Sequence, residues 1–131
     1  MSDYVVHVDT TPPADLTGTP FSHLDVRYLV SPERNGARLT GVGQTIYPGG
    51  GGTHELHSHP DAEETVIVME GRGRHRVGDN WYDIGPGDIV FVPRGMVHGA
   101  IANTEEDLRI LWVLGGAADL DAAGYEPHIG D

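Results

Sequence analysis

Gly51-Gly-Thr-His-Glu-Leu-His57-Ser-His59-Pro-Asp-Ala-Glu-Glu64-Thr-Val-Ile-Val-Met-Glu-Gly71 is the stretch whose reading decides the fold. His57 and His59 are two positions apart. In an extended strand such residues point to one face, roughly 6–7 Å from each other along the chain. Two imidazoles on one face can bind one metal ion. Glu64 lies at an odd offset, which a continuous strand would put on the opposite face. Pro60-Asp61 is a turn signal, so the chain can bend and a new strand can begin near Glu63. Glu64 then turns back towards the histidines.

A second stretch, Gly87-Asp-Ile-Val-Phe-Val-Pro93-Arg-Gly95-Met-Val-His98, reads as a short apolar strand, a Pro/Gly turn and a third histidine. His57, His59, His98 and Glu64 together would make a compact metal site of three nitrogens and one oxygen. A lone histidine is ordinarily a satisfied core or surface residue. Three with a carboxylate favour a metal. A carboxylate on an apolar strand is also costly to bury without a cationic partner.

These residues resemble the cupins. Gly51, His57, His59, Glu64 and Gly71 match the first cupin motif, with four residues between His59 and Glu64. Glu63 fits the shorter spacing but puts Gly71 one position late, so Glu64 is taken. Gly87, Pro93, Gly95 and His98 match the second motif. Asn103 falls one residue beyond the motif's asparagine. The resemblance covers about half the chain. It implies an all-β jelly-roll barrel of antiparallel strands, with one divalent transition metal ion (Fe, Mn, Ni, Co, Cu or Zn) held by His57, His59, Glu64 and His98. It also implies a homodimer. The chemistry it points to first is that of a dioxygenase acting on a small oxygenated molecule chelated to the metal. A non-redox isomerase, cyclase or decarboxylase and a non-catalytic binder of small acids or sugars are the alternatives. Fold does not decide among them.

The whole chain fits one barrel. It has 131 residues, enough for one hydrophobic core. Nineteen Gly and nine Pro point to short strands joined by turns. The net charge of −12 repels a phosphate backbone, so nucleic acid is not an expected partner. No apolar run approaches membrane-spanning length. The N-terminal Met-Ser-Asp-Tyr lacks a secretory pattern, and cysteine is absent, so a cytoplasmic protein without disulfides is expected.

Residues 1–20 read as an extended arm that crosses to a partner chain, after a short strand at Val5–Val8. Residues 21–116 read as the barrel and 117–131 as a small, acidic tail with a helical turn near Ala117–Ala123. Between them, about nine strands alternate with turns, and Ser31 to Gly36 is one of those turns. The glycines at 49–52 invite a phosphate-loop reading, but no Lys-Ser/Thr follows and no helix opens there. Besides the metal set, Glu64 is a candidate general base. His54, Tyr47 and His75 are further candidates for proton transfer. His75 alternates with Arg74 and Arg76 and so points away from them. Gln44, Tyr28, Tyr47 and Trp112 are candidate pocket residues, although Trp112 reads first as a core aromatic. Arg27 and Arg94 read as surface residues rather than anion holders.

Overall fold

A computed structural model of the protein describes residues 3–53 and 55–130. Its strands are β1 (Asp25–Val30), β2 (Thr40–Tyr47), β3 (Gly52–Thr53), β4 (His57–Ser58), β5 (Glu63–Glu70), β6 (Gly73–Val77), β7 (Asn80–Ile84), β8 (Ile89–Val92), β9 (His98–Ala102), β10 (Leu108–Gly115) and β11 (Glu126–Pro127). Two short helices, α1 (Pro32–Asn35) and α2 (Leu120–Ala123), complete the elements named here. One sheet has the order β1-β2-β10-β5-β8; the other runs β11-β4-β9-β6-β7, with β3 added on β9. The pairings are antiparallel. This is the jelly-roll barrel expected from the sequence, a double-stranded β-helix.

The core follows from period-2 alternation in strands whose one face is buried. Val66 and Val68 on β5, Ala100 and Ala102 on β9, and Leu108 and Ile110 on β10 pack with Leu24, Tyr47 and Ile84 between the sheets. On β6 the buried His75 points inward while Arg74 and Arg76 flank it on the other face. Glu64 shares the inward face of β5 with Val66 and Val68, and Glu63 is exposed. The turn after β5 uses Gly71 at φ +81°, where a Cβ would overlap the carbonyl oxygen of Asp107.

Several local readings change in three dimensions. No strand forms at Val5–Val8: Val8–Thr10 is a 3-10 turn capped by His7, and Val5 is exposed. Pro12 and Pro13 follow, and neither has an amide to donate to a strand pairing. Ser31 to Gly36 is not an open turn but holds α1, because Ser31 Oγ accepts from the Arg34 amide and Pro32 starts the helix. The strands β3, β4 and β11 are two residues each, too short to carry a periodic signal, and exist through their pairing.

The two chain ends also close on the barrel. Ala14 donates to the Val26 carbonyl at 2.7 Å, and Arg27 Nη1 donates to the carbonyls of Val8 and Thr11. The described part of the arm therefore lies against its own barrel. At the other end Ala117, Ala118 and Ala123 are buried, and the Asp61 amide donates to the Ala123 carbonyl. Among the described residues, no helix is long and apolar enough to cross a membrane.

Candidate metal centre

The three histidines meet because one strand pairing and one turn bring them together. His57 on β4 lies directly across from His98 on β9. The Pro93–Met96 turn closes with the Met96 amide on the Pro93 carbonyl, and the Gly95 amide donates to the His59 carbonyl at 2.9 Å. Gly95 takes φ +79°, a conformation side chains disfavour. That turn ties the second histidine stretch to the first. The ring centroids lie 4.3 Å apart for His57 and His98, 4.9 Å for His57 and His59, and 5.1 Å for His59 and His98.

Each ring is oriented by its Nδ1. His57 Nδ1 faces the Glu55 carbonyl at 3.0 Å, His59 Nδ1 the Gly124 carbonyl at 2.7 Å, and His98 Nδ1 the Met96 carbonyl at 3.0 Å. A carbonyl only accepts, so each Nδ1–H donates and each neutral ring presents Nε2 as a lone pair. Such a bond from the far ring nitrogen to a carbonyl fixes the tautomer of metal-ligating histidines. One ligand atom from each ring lies within 4.8 Å of the others, a group that could hold a metal ion. All three side chains are buried.

Glu64 closes the fourth side. Its Oε1 lies 3.2 Å from His59 Nε2 and 3.5 Å from His98 Nε2. Neutral rings with Nδ1–H would set acceptors against acceptors there, and His98 Nε2 is buried without a hydrogen-bond partner. A cation resolves the conflict, either a shared proton or a metal. The residues present fit a metal. Burial on its own would raise the Glu64 carboxyl, but contacts with His59 and His98 outweigh it and hold the group well below its usual range. Burial likewise pushes His59 down, and its bonds to Glu64 and the Gly124 carbonyl more than reverse that. Imidazoles with one carboxylate suit first-row transition metals better than Ca or Mg.

Beside this centre lies a cavity of about 200 Å³. Tyr28, Tyr47 and Trp112 line it from the β1-β2-β10 side and His75 from β6. The His75 ring is parallel to that of His98, with centroids 6.2 Å apart, and its Nδ1 donates to the Arg76 carbonyl at 3.0 Å. Burial pushes the Tyr47 hydroxyl far up, so it stays protonated. Trp112 is half-buried and walls the cavity, with Nε1–H donating to Thr45 Oγ1 at 3.0 Å. Gln44 does not reach the cavity. It lies on the other face of β2 and accepts from Arg109 Nη1 at 3.1 Å, because parity sends Thr45 and Tyr47 inward. Neither Arg27 nor Arg94 lines the cavity. His54 lies outside the described residues. The glycine amides at 50, 51 and 52 donate to the carbonyls of Thr104, Ala102 and Pro48, which is no phosphate cradle.

Several cavity residues escaped the sequence reading, among them Leu16, Phe21, Leu120 and Tyr125. Tyr125 lines the cavity and stacks on His57, with centroids 4.7 Å apart and planes 17° apart. Its hydroxyl donates to Glu55 Oε1 at 3.0 Å. Burial first, and then Glu55, push that hydroxyl up in pKa. The available signal was a single aromatic in an otherwise small, acidic tail.

Comparison with known proteins agrees with this architecture. The profile of the cupin domain family matches residues 43–114. Germin-like protein subfamily T member 3 of Arabidopsis thaliana is 30% identical over 128 residues, covering 92% of this chain and 52% of that protein. The chain thus spans about half the length of that curated relative. Among solved structures, the polyketide cyclase RemF from Streptomyces resistomycificus superposes with a TM-score of 0.79 at 20% identity, over 98% of this chain and 87% of the other. A predicted oxalate decarboxylase from Thermotoga maritima gives 0.68 at 24% identity, over 86% and 98%. At such identities the likeness establishes the shared fold.

Proposed function

This chain belongs to the cupin domain family, and from that premise we propose that it is a metal-dependent enzyme acting on a small oxygenated organic molecule. The observation that carries the reading is the set of Nδ1 bonds. Three carbonyls hold three imidazoles with one ligand atom of each within 4.8 Å of the others, and the Nε2 atoms of His59 and His98 lie against the Glu64 carboxylate in the wall of a cavity. His57, His59, His98 and Glu64 are the ligands we assign to one divalent transition metal ion per chain. When bound, such an ion supplies Lewis-acid or redox activation of substrate oxygens.

The chain's own residues then have distinct tasks. Val66 and Val68 behind Glu64 and the aromatic wall exclude water, which strengthens every charge interaction inside. Glu64 accepts a proton from a substrate hydroxyl or from a carbon next to a carbonyl. Tyr47, kept protonated by burial and lining the same cavity, donates a hydrogen bond to a substrate oxygen. His75 lines the same cavity beside His98, where its ring packs against a bound substrate. A carboxylate and a hydroxyl hydrogen-bond donor in one cavity support a proton-transfer reaction such as isomerisation or cyclisation. Dioxygenase chemistry, favoured from the sequence, is supported by the ligand types alone. Oxygen consumption during turnover separates the two.

The test of the metal assignment is elemental analysis. About one ion per chain is expected, with His57→Ala and His98→Ala losing most of it while far-ultraviolet circular dichroism stays unchanged. Full metal content in both variants would refute the ligand set. We also propose a homodimer. Its support is the outer face of the five-stranded sheet, where Met69, Ile89 and Phe91 are exposed.

A further inference from the structure

We propose that the cavity beside this centre takes a flat aromatic ligand of about one ring carrying two adjacent oxygens, a catechol or hydroxyaryl ketone, in preference to a small dicarboxylate. The proposal rests on the metal-site reading for the anchoring of the two oxygens, and on the cavity walls for the ring.

The walls carry it first. Phe21, Tyr28, Tyr47, Trp112 and Tyr125 supply aromatic surface, and aliphatic side chains fill the gaps between them. No lysine or arginine is among the lining residues. Recognition of a carboxylate away from a metal ordinarily needs such a cation, or several donors, because an unpaired buried charge is costly. A divalent ion with the Glu64 carboxylate leaves one net positive charge. A monoanion balances it, whereas a dianion leaves an uncompensated negative charge in an apolar chamber.

Size points the same way. An engineered apolar cavity of about 150 Å³ in another protein takes up benzene. The cavity here is about 200 Å³, room for one ring with polar substituents. The chain also gives up a side chain to place its largest wall. Gly43 of β2 pairs with Tyr28 of β1 on one side and with Trp112 of β10 on the other. Their rings meet edge to face at 6.0 Å, and a Cβ on Gly43 would overlap the indole. An edge-to-face pair like this presents further ring surface to a flat guest.

Fluorescence titration tests the proposal in a Trp81→Phe background, which leaves Trp112 as the single indole. The probes are 4-nitrocatechol and oxalate, added to metal-loaded and to metal-stripped protein, with metal content measured in each. The expected result is a dissociation constant for nitrocatechol at least tenfold below that for oxalate. Tyr28→Ala should weaken nitrocatechol at least tenfold, read by its own absorbance change, and leave oxalate unaffected. Trp112→Leu, read the same way, is the second variant should Tyr28→Ala fail to fold. Oxalate binding as tightly as nitrocatechol overturns the proposal, as does nitrocatechol binding that neither variant alters. If the protein holds no metal yet nitrocatechol still quenches Trp112 and outcompetes oxalate, the ring pocket stands and the metal reading falls. If metal binds but nitrocatechol has no preference, the reverse holds.

Discussion

Gly43→Ala is expected to destabilise this protein, against the usual direction for a glycine in a strand. The reference effect is a gain of about 0.5–1 kcal/mol, since Ala loses less backbone freedom on folding. At this position the new methyl would fall inside the Trp112 indole, with even the third-nearest ring atom, Cη2, at 2.6 Å. The indole cannot yield freely, because Nε1–H is bound to Thr45 Oγ1 and the ring packs against core residues. Overpacking of this kind costs about 1–3 kcal/mol, and a displaced indole loses a hydrogen bond with a net value of about 0.5–1.5 kcal/mol. Set against the backbone gain, the net loss is about 2 kcal/mol. For a chain of this size that corresponds to a Tm lower by roughly 6–10 °C. Thermal unfolding followed by circular dichroism measures it. The control is the same change in a Trp112→Leu background, where the clash is gone and Gly43→Ala should be neutral or slightly stabilising. The two changes should therefore be strongly coupled in a double-mutant cycle. An equal effect of Gly43→Ala in both backgrounds would show that the indole does not occupy this place.

Three further outcomes are expected. In metal-free protein, Glu64 has a lowered pKa, so its contribution to stability is present above its ordinary value of 4.5 and lost as pH falls below it. His59 has a raised pKa, so its contribution is present below 6.5 and lost as pH rises through the folded value. Stability without metal should therefore peak between these two values, and Glu64→Gln should flatten the profile; Tm against pH in chelator, unchanged by Glu64→Gln, would contradict this. Tyr125→Ala, which removes the ring stacked on His57, should lower metal affinity about 2–10-fold, while Tyr125→Phe, which keeps the ring, should leave it nearly unchanged; competition with a chromophoric chelator measures both. Solution mass by light scattering should be that of a dimer, and Phe91→Glu should shift it towards a monomer; a wild-type monomer at tens of micromolar would refute the assembly.

Much of this protein was legible along the chain. The cupin fold was, because the motif glycines, Pro93 and the three histidines fall at family spacing, and because inward and outward residues alternate on β2, β5, β6 and β10. Parity alone placed His75 opposite its arginines and Val66 and Val68 beside Glu64. Other features depend on contacts between segments distant in sequence. The Gly124 carbonyl that orients His59 lies 65 residues away, and Tyr125 reaches His57 because β11 pairs with β4. A two-residue strand has no period of its own to read. The chain ends looked peripheral because their composition is small and polar, yet Leu16 and Leu120 line the cavity and Ala123 is buried. Gln44 and Tyr47, on opposite faces of one strand, were both candidates for the pocket until the sheet chose a face. Local pattern determines which residues share a side of a strand; only closure of the barrel decides which side becomes the interior, and what waits there to meet it.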